Sequence, residues 1–448
     1  MTHVPLFDMN LQQRKEERDR QKELIKGEWD EKKPDQSFIE SCNKRIKYID
    51  GLTEIKDPVI EGKALEVLEN GDPVKFIIGT YNRLHVGDTD LGKIMLLSIA
   101  NQSATTTDGT QPKLSGEPGK GKTHAVAAMF HLIPDVGYKL EGSLSAKTLF
   151  YDPDLMPGTI IFSDDVQISD DLEDTLKRTM TNFQRETLHR TVDRQLQPRT
   201  LTIPPRTVFW MTSVSSPFSG ELNSRLYEVN VDESPEADNA VMEQRKKRAI
   251  KGDEALPTDE KVKICRAIIH MVRCKTFHVR IPYADCIQWN GSRERRNLNR
   301  FLDLVQGFAV LRFMQRCKVE EGSIHMILAS TQDFDDAKVL YDATSKSQIT
   351  SVTEAEGRLA EWLAGKGPKT INKLVGEYQK MDGNQYKYNG IRKLIKGNDG
   401  KGGLLDKVPG MMVSKVDGEE AYELRIFDAG AVGSIVSLRI EAYEKFPI

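Results

Sequence analysis

Apolar and polar positions along this chain fall into blocks whose period changes from one region to the next. The first block, Leu11 to Lys33, interleaves acidic and basic residues with few apolar ones (LQQRKEERDRQKELIKGEWDEKK). Such a run predicts a solvated helix held by i,i+4 pairs, or a partly disordered arm. Pro34 ends it, and FIESCNKRIKYIDG predicts a short helix. From about Asp72 the pattern shifts. PVKFIIGTY, GTIIFSDD and RTVFWMTSV are short apolar runs rich in β-branched and aromatic residues, as buried parallel strands are. Between them DTDLGKIMLLSIA, THAVAAMFHLI and DDLEDTLKRTMTNFQRE read as helices. Strands alternating with helices predict an α/β core around a parallel sheet. LHRTV and RTLTI alternate in strand fashion around the polar turn DRQLQP, which predicts a projecting hairpin. After Glu233 the chain reads as mostly helical through Tyr341, a helical lid, and Ala343 to Ser351 reads as a polar linker.

The last hundred residues follow another pattern. GRLAEWLAGKG, KTINKLVGEYQKM and YKYNGIRKLIKG predict three short helices, and MMVSKVDGEEAYELRI predicts a hairpin turning at Asp417-Gly418. Three helices followed by a hairpin is the outline of a winged helix. The expected division is a charged arm over 1–60, a nucleotide-binding core with lid over 61–342 and a winged-helix domain over 352–448.

Composition narrows the class. With 448 residues the chain is too long for one small core. Its net charge of −3 carries no global basic signature, so contact with nucleic acid requires local patches. The cysteines, Cys42, Cys265, Cys274, Cys286 and Cys317, are scattered without a C-x-x-C pair. That spacing argues against a zinc ribbon or disulfide framework. No apolar run approaches the length of a membrane span and no signal-like segment opens the chain, so a soluble, cytoplasmic protein with no membrane partner is expected.

The chemistry begins at KLSGEPGKGKTHAVAAMF, Lys113 to Phe130. Gly116, Gly121, Lys122 and Thr123 satisfy G-x-x-x-x-G-K-(S/T). In such a loop, Gly116, Glu117, Pro118, Gly119, Lys120, Gly121, Lys122 and Thr123 would wrap backbone N–H groups around phosphate oxygens, aided by the helix N-terminus. Lys122 would reach the β- and γ-phosphates and Thr123 would bind Mg²⁺, so ATP and Mg²⁺ are the expected cofactors. A glycine turn before a helix, with no ligand, is the plain alternative. TIIFSDD places Asp164 and Asp165 after a strand, Asp164 for the Mg²⁺ shell and Asp165 to polarise the attacking water. Acid pairs there also serve as simple helix caps. VFWMTSV offers Ser213, or Thr212 beside it, to the water or γ-phosphate, from a strand expected between the two motifs. In GELNSRLYEVNVDE, Arg225 follows a polar turn, where it could reach a neighbouring subunit's γ-phosphate or simply be solvated.

Basic residues mark two candidate DNA contacts. Arg190, Arg194 and Arg199 lie near the tip of the expected hairpin. On the third C-terminal helix, Asn389, Arg392, Lys393 and Lys396 share one face and Ile391, Leu394 and Ile395 the other, as a recognition helix or a solvated face of a docking module would have.

The order of these pieces resembles the AAA+ superfamily and, within it, the minichromosome-maintenance (MCM) helicases, over residues 75–340. HVGDTDLGKIMLLSIA is similar to the helix before that family's phosphate loop, SGEPGKGKT to its loop, and ELNSRLYEVNVDESPE to its finger motif through Ser224 and Arg225. RNLNRFLDLVQGFAVLRFMQRCKVEEGSIHMIL resembles its lid, with Arg296 at the second sensor position. The resemblance implies a hairpin lining a central channel and a C-terminal winged helix. Two departures stand out. The charged residues ahead of the core are not expected to supply the family's large N-terminal part, and Asp165 replaces its usual glutamate, an Asp-Asp pair reminiscent of superfamily 3 helicases. The expectation is an oligomeric, hexameric ATP-dependent DNA helicase or translocase working in DNA replication alongside other replication proteins. The alternatives are a replication initiator or loader switch without unwinding, and a scaffold that only binds nucleotide.

Overall fold

Five helices precede the first strand among the described residues, and one of them replaces an expected strand. The computed structural model describes residues 11–29, 36–136, 138–142, 144–152, 154–165, 168–192, 197–213, 218–251, 258–289, 295–321, 324–344, 354–382, 387–398, 401–407, 411–416, 418–424, 436–439 and 443. The helices are α1 (Leu11–Trp29), α2 (Gln36–Ile55), α3 (Pro58–Asn70), α4 (Pro73–Leu84) and α5 (Thr89–Asn101). PVKFIIGTY, expected as a strand, belongs to α4. Asp72 caps it by accepting from Lys75 N at 3.0 Å, and Pro73 sits where its missing N–H costs nothing. The buried positions Val74, Ile77, Ile78, Tyr81 and Leu84 recur with helical spacing, which the adjacent isoleucines obscure in the bare sequence. Helix α1 is not wholly solvated either: Arg14, Glu17 and Gln21 are buried along one face, and Arg18 pairs with Asp50 of α2 at 2.7 Å.

Next come β1 (Pro112–Ser115), α6 (Lys122–Leu132), β2 (Lys139–Glu141), α7 (Ala146–Tyr151), β3 (Ile160–Ser163) and α8 (Asp170–Thr181). They are followed by β4 (Thr187–Val192), β5 (Pro198–Ile203), β6 (Val208–Ser213), α9 (Gly220–Asn223) and β7 (Tyr227–Asn230). Five of these strands form one sheet in the order β2-β3-β6-β1-β7, every neighbouring pair parallel. The runs GTIIFSDD and RTVFWMTSV are β3 and β6, as expected, and β6 separates β1 from β3. Both faces of the sheet are covered, which explains why these strands read as continuous apolar runs. Phe209 and Met211 pack with Leu172, Leu176 and Leu201 on one side. Trp210 meets Phe130 of α6 at 5.1 Å between ring centres and donates its indole N–H to Ser98 at 2.9 Å. Strands β4 and β5 leave the sheet as the expected antiparallel hairpin.

The stretch after Glu233 is less helical than expected. Helices α10 (Pro235–Lys251) and α11 (Glu260–Arg273) lead into β8 (Phe277–Arg280) and β9 (Ile287–Trp289), then α12 (Arg295–Leu311), β10 (Lys318–Glu321), β11 (Ile324–Leu328) and α13 (Thr331–Thr344). Strands β10, β11 and β8 form a small sheet of their own. The run IHMIL makes β11, which pairs antiparallel with β10, and this strand pair stands between the amphipathic helices α12 and α13 that dominate the local pattern. Asp333 is fully buried and accepts from Arg312 at 3.0 Å and Arg316 at 2.7 Å, tying the end of the α12 region to α13.

By internal packing the chain divides into two units, Met1–Asp285 with Leu298–Ala337 and Glu441–Ile448, and Cys286–Asn297 with Lys338–Ile440. In the second unit three helices, Glu354–Leu363, Ile371–Asp382 and Tyr388–Lys396, precede an antiparallel pair, Met411–Val416 and Glu419–Leu424. A short strand, Lys369–Thr370, pairs with the latter. Leu359, Leu374, Ile391, Ile395, Tyr422 and Leu424 form its core. Of the expected turn, Gly418 has φ +84°, whereas Asp417 and most of the expected linker lie outside the described residues. Among the described residues no helix is long and apolar enough to cross a membrane. All five cysteines are free thiols.

Candidate functional site

The loop between β1 and α6 takes its shape from glycines at positive φ. Gly116 (φ +146°) leaves β1 where a Cβ would come within 2.4 Å of Val231 Cγ2, and Gly121 (φ +94°) turns the chain into α6. Lys122 is buried, and its ammonium donates to the carbonyls of Gly116 (2.7 Å) and Glu117 (2.9 Å), spanning the loop's concave side. Two carboxylates from beyond β7 hold the loop. Glu233 accepts from Glu117 N at 2.6 Å, and Asp238 pairs with Lys120 at 2.7 Å. The hydrogen bond to Asp238 raises the Lys120 pKa above its ordinary value.

The parallel sheet brings the acidic strand end alongside. Asp164 accepts from the Thr123 hydroxyl at 2.8 Å through one carboxylate oxygen and from the Thr212 hydroxyl through the other. Thr212, wholly buried in β6, also accepts from Asp165 N at 2.9 Å. Asp165 has φ +45°, a left-handed conformation that aspartate adopts more readily than most residues. The next residue of β6, Ser213, lies in register with Ser115 of β1. Among the described side chains of β6, that of Thr212 is the one that meets the acid pair. Thr123 and Asp164 are hard oxygen donors suited to Mg²⁺, which takes one or two protein carboxylates with substrate phosphates and water. Among the described residues no group of three or more His, Cys, Asp or Glu is placed to hold a metal ion.

Arg225 follows α9 and is held to its own chain. It donates to Glu221 O (2.8 Å), Glu221 Oε1 (3.1 Å) and Thr181 Oγ1 (3.1 Å). The sequence reading missed the residue beneath it. Arg300 of α12 donates to three carbonyls of the Arg225 turn, those of Asn223 (3.1 Å), Ser224 (2.5 Å) and Leu226 (2.6 Å). Lys113, buried in β1, donates to the side chain of Asn223 at 3.1 Å and so ties the phosphate-loop strand to the same turn. Arg296 is exposed near the start of α12, in the second unit.

The hairpin separates residues that the sequence places together. Arg190 pairs with Thr200, and Arg199 with Thr191, so the two arginines stand on opposite faces, both exposed. Arg190 shares its face with the exposed Leu188 and Val192, and Arg194 lies outside the described residues. On helix Tyr388–Lys396, Ile391 and Ile395 are buried while Asn389, Arg392 and Lys393 are exposed. Lys396 is engaged by Glu420 and lies over the Tyr422 ring at 5.8 Å.

A cavity of about 80 Å³ opens beside the phosphate loop, walled by Val86, Val241, Arg245 and Arg248 and sharing Gly119 to Gly121 with the loop. Within it His85 Nε2 meets Asp88 Oδ2 at 2.7 Å, and His85 Nδ1 meets His124 Nδ1 at 2.8 Å. Burial, then His85, Arg248 and Arg245, lower the His124 pKa and favour its neutral ring. These residues come from segments too far apart in sequence to read as a group. The one linear hint is a histidine directly after Thr123.

The family model described as MTBMA_p00010 P-loop domain matches residues 58–275. No curated protein matches the chain.

Proposed function

We propose, from the premise that residues 58–275 form a P-loop nucleotide-binding domain, that this chain is a Mg²⁺-dependent ATPase of AAA+ type acting on DNA as a hexameric ring. The observation that carries this reading is the chain Thr123–Asp164–Thr212, in which a strand between the two motifs links the phosphate loop to the acid pair. In the nucleotide complex the Lys122 ammonium exchanges the carbonyls of Gly116 and Glu117 for β- and γ-phosphate oxygens. Thr123 and Asp164 hold the Mg²⁺, which when bound offsets charge on those phosphates. Asp165, its backbone N–H fixed on Thr212, orients the attacking water. Arg225 and Arg296 serve the γ-phosphate of a neighbouring copy, with Arg300 and Lys113 positioning the turn that carries Arg225. Arg190, Arg194 and Arg199 of the hairpin and Arg392, Lys393 and Lys396 of the C-terminal module, read as a winged helix, meet DNA phosphates.

The test is DNA-stimulated phosphate release. Lys122→Ala should abolish it and Arg225→Ala should reduce it by about 10³-fold or more. Mixing the two variants should restore part of the activity, since some seams would pair an intact loop with an intact finger. No recovery on mixing would count against shared sites.

A second reading, an initiator or loader that changes assembly state with ATP and unwinds nothing, is favoured by the grip of Glu221 and Thr181 on Arg225. It fits a finger released only on assembly. Strand displacement on a forked duplex separates the two readings, because only the motor scores.

A further inference from the structure

The cavity beside the phosphate loop holds a hydrogen-bond relay that hydrolysis does not use. Asp88 accepts from Asp232 N through Oδ1 at 2.6 Å and meets His85 Nε2 through Oδ2 at 2.7 Å. A carboxylate only accepts, so the proton of that second bond belongs to His85 Nε2. In a neutral imidazole the other nitrogen, Nδ1, is then an acceptor. Its partner is His124 Nδ1 at 2.8 Å, which must therefore donate. His124 is left with a bare lone pair on Nε2, which has no hydrogen-bond partner among the described residues.

The cavity shares Gly119, Lys120 and Gly121 with the phosphate loop and is also lined by Val86 and Val241. We infer that a nucleotide with its phosphates on the loop carries its base in this cavity, where the Asp88–His85–His124 relay holds His124 as a hydrogen-bond acceptor and so selects 6-aminopurine over 6-oxopurine triphosphates. The inference rests on the nucleotide-binding reading of the loop. A 6-amino group offers an N–H to that lone pair, whereas a 6-carbonyl presents a second acceptor and leaves both unpaired.

The relay can be reversed by one substitution. Asp88 has φ +52°, a conformation that asparagine also adopts readily. In Asp88→Asn the amide oxygen stays on Asp232 N–H, so the amide nitrogen faces His85 Nε2 and must donate to it. Both rings then switch tautomer and His124 presents an N–H instead.

Titrations of the full chain with ATP and ITP at pH 8 test this. The wild type should bind ATP about tenfold or more tightly than ITP, and Asp88→Asn should erase or invert that preference. His124→Leu, which removes the ring nitrogen, should bring the two within about twofold and stands in if Asp88→Asn fails to fold. Equal binding by the wild type, or an ATP preference surviving in a folded variant, overturns the inference and leaves the P-loop reading intact. A folded wild type that binds neither nucleotide removes the P-loop reading, and the inference falls with it.

Discussion

Thr212 shows how one hydroxyl can organise a site. It donates to Asp164, accepts from Asp165 N, and is wholly buried, so both acids are fixed by a group that contacts no solvent. Thr212→Val keeps the shape and removes both bonds. It should lower ATP turnover by about 10–100-fold while nucleotide affinity changes little, because an unsatisfied buried partner costs about 1–3 kcal/mol. Steady-state turnover beside equilibrium binding checks the split. Asp303 of α12 bears on stability. Burial, with the nearby charge of Asp108, pushes its carboxyl up to about 8. The folded chain therefore keeps a proton that the unfolded chain releases near pH 4, and this stabilisation, complete at low pH, is lost as pH rises towards 8. Asp303→Asn should flatten the fall in stability between pH 5 and 8, with about 4 kcal/mol as the upper bound. Thermal midpoints of both proteins across that range measure it.

At the level of elements, α12 is a strut. Its Arg300 holds the Arg225 turn, and the Asp303 carbonyl accepts from Asn101 Nδ2 at 3.0 Å at the end of α5. The amphipathic pattern of α12 is legible in the sequence, but its partners are not. The hairpin teaches the same lesson in reverse. Its two strands were readable from alternation, yet the register set by the turn puts Arg190 and Arg199 on opposite faces. Since both are read as meeting phosphates, Arg190→Ala and Arg199→Ala should each reduce the slope of log affinity against log salt by about one. An effect from one alone would show that a DNA backbone tracks a single face of the hairpin.

For the whole molecule, a net charge of −3 supplies no general attraction to nucleic acid, so affinity for DNA would rest on these few local cations and fall steeply with salt. The division into two units carries a further consequence. The second unit is assembled from Cys286–Asn297 and Lys338–Ile440, so the path from core to C-terminal module is not a single crossing. The sequence pattern suggested one linker near Ala343, because a polar run marks a break in periodicity but says nothing about which distant segments pack together.

By itself the sequence determined the contiguous features. The phosphate loop, the acid pair after an apolar strand, the hairpin and the three C-terminal helices each depend on residues within a few positions of one another, where backbone preference and side-chain period act directly. Tertiary structure alone decided that Thr212 meets Asp164, that PVKFIIGTY coils into a capped helix, and that His85, Asp88 and His124 converge on one cavity. The reason is physical. Sheet order, strand parity and side-chain convergence are set by how apolar faces are buried against partners distant in the chain, and a local pattern fixes the face without naming the partner.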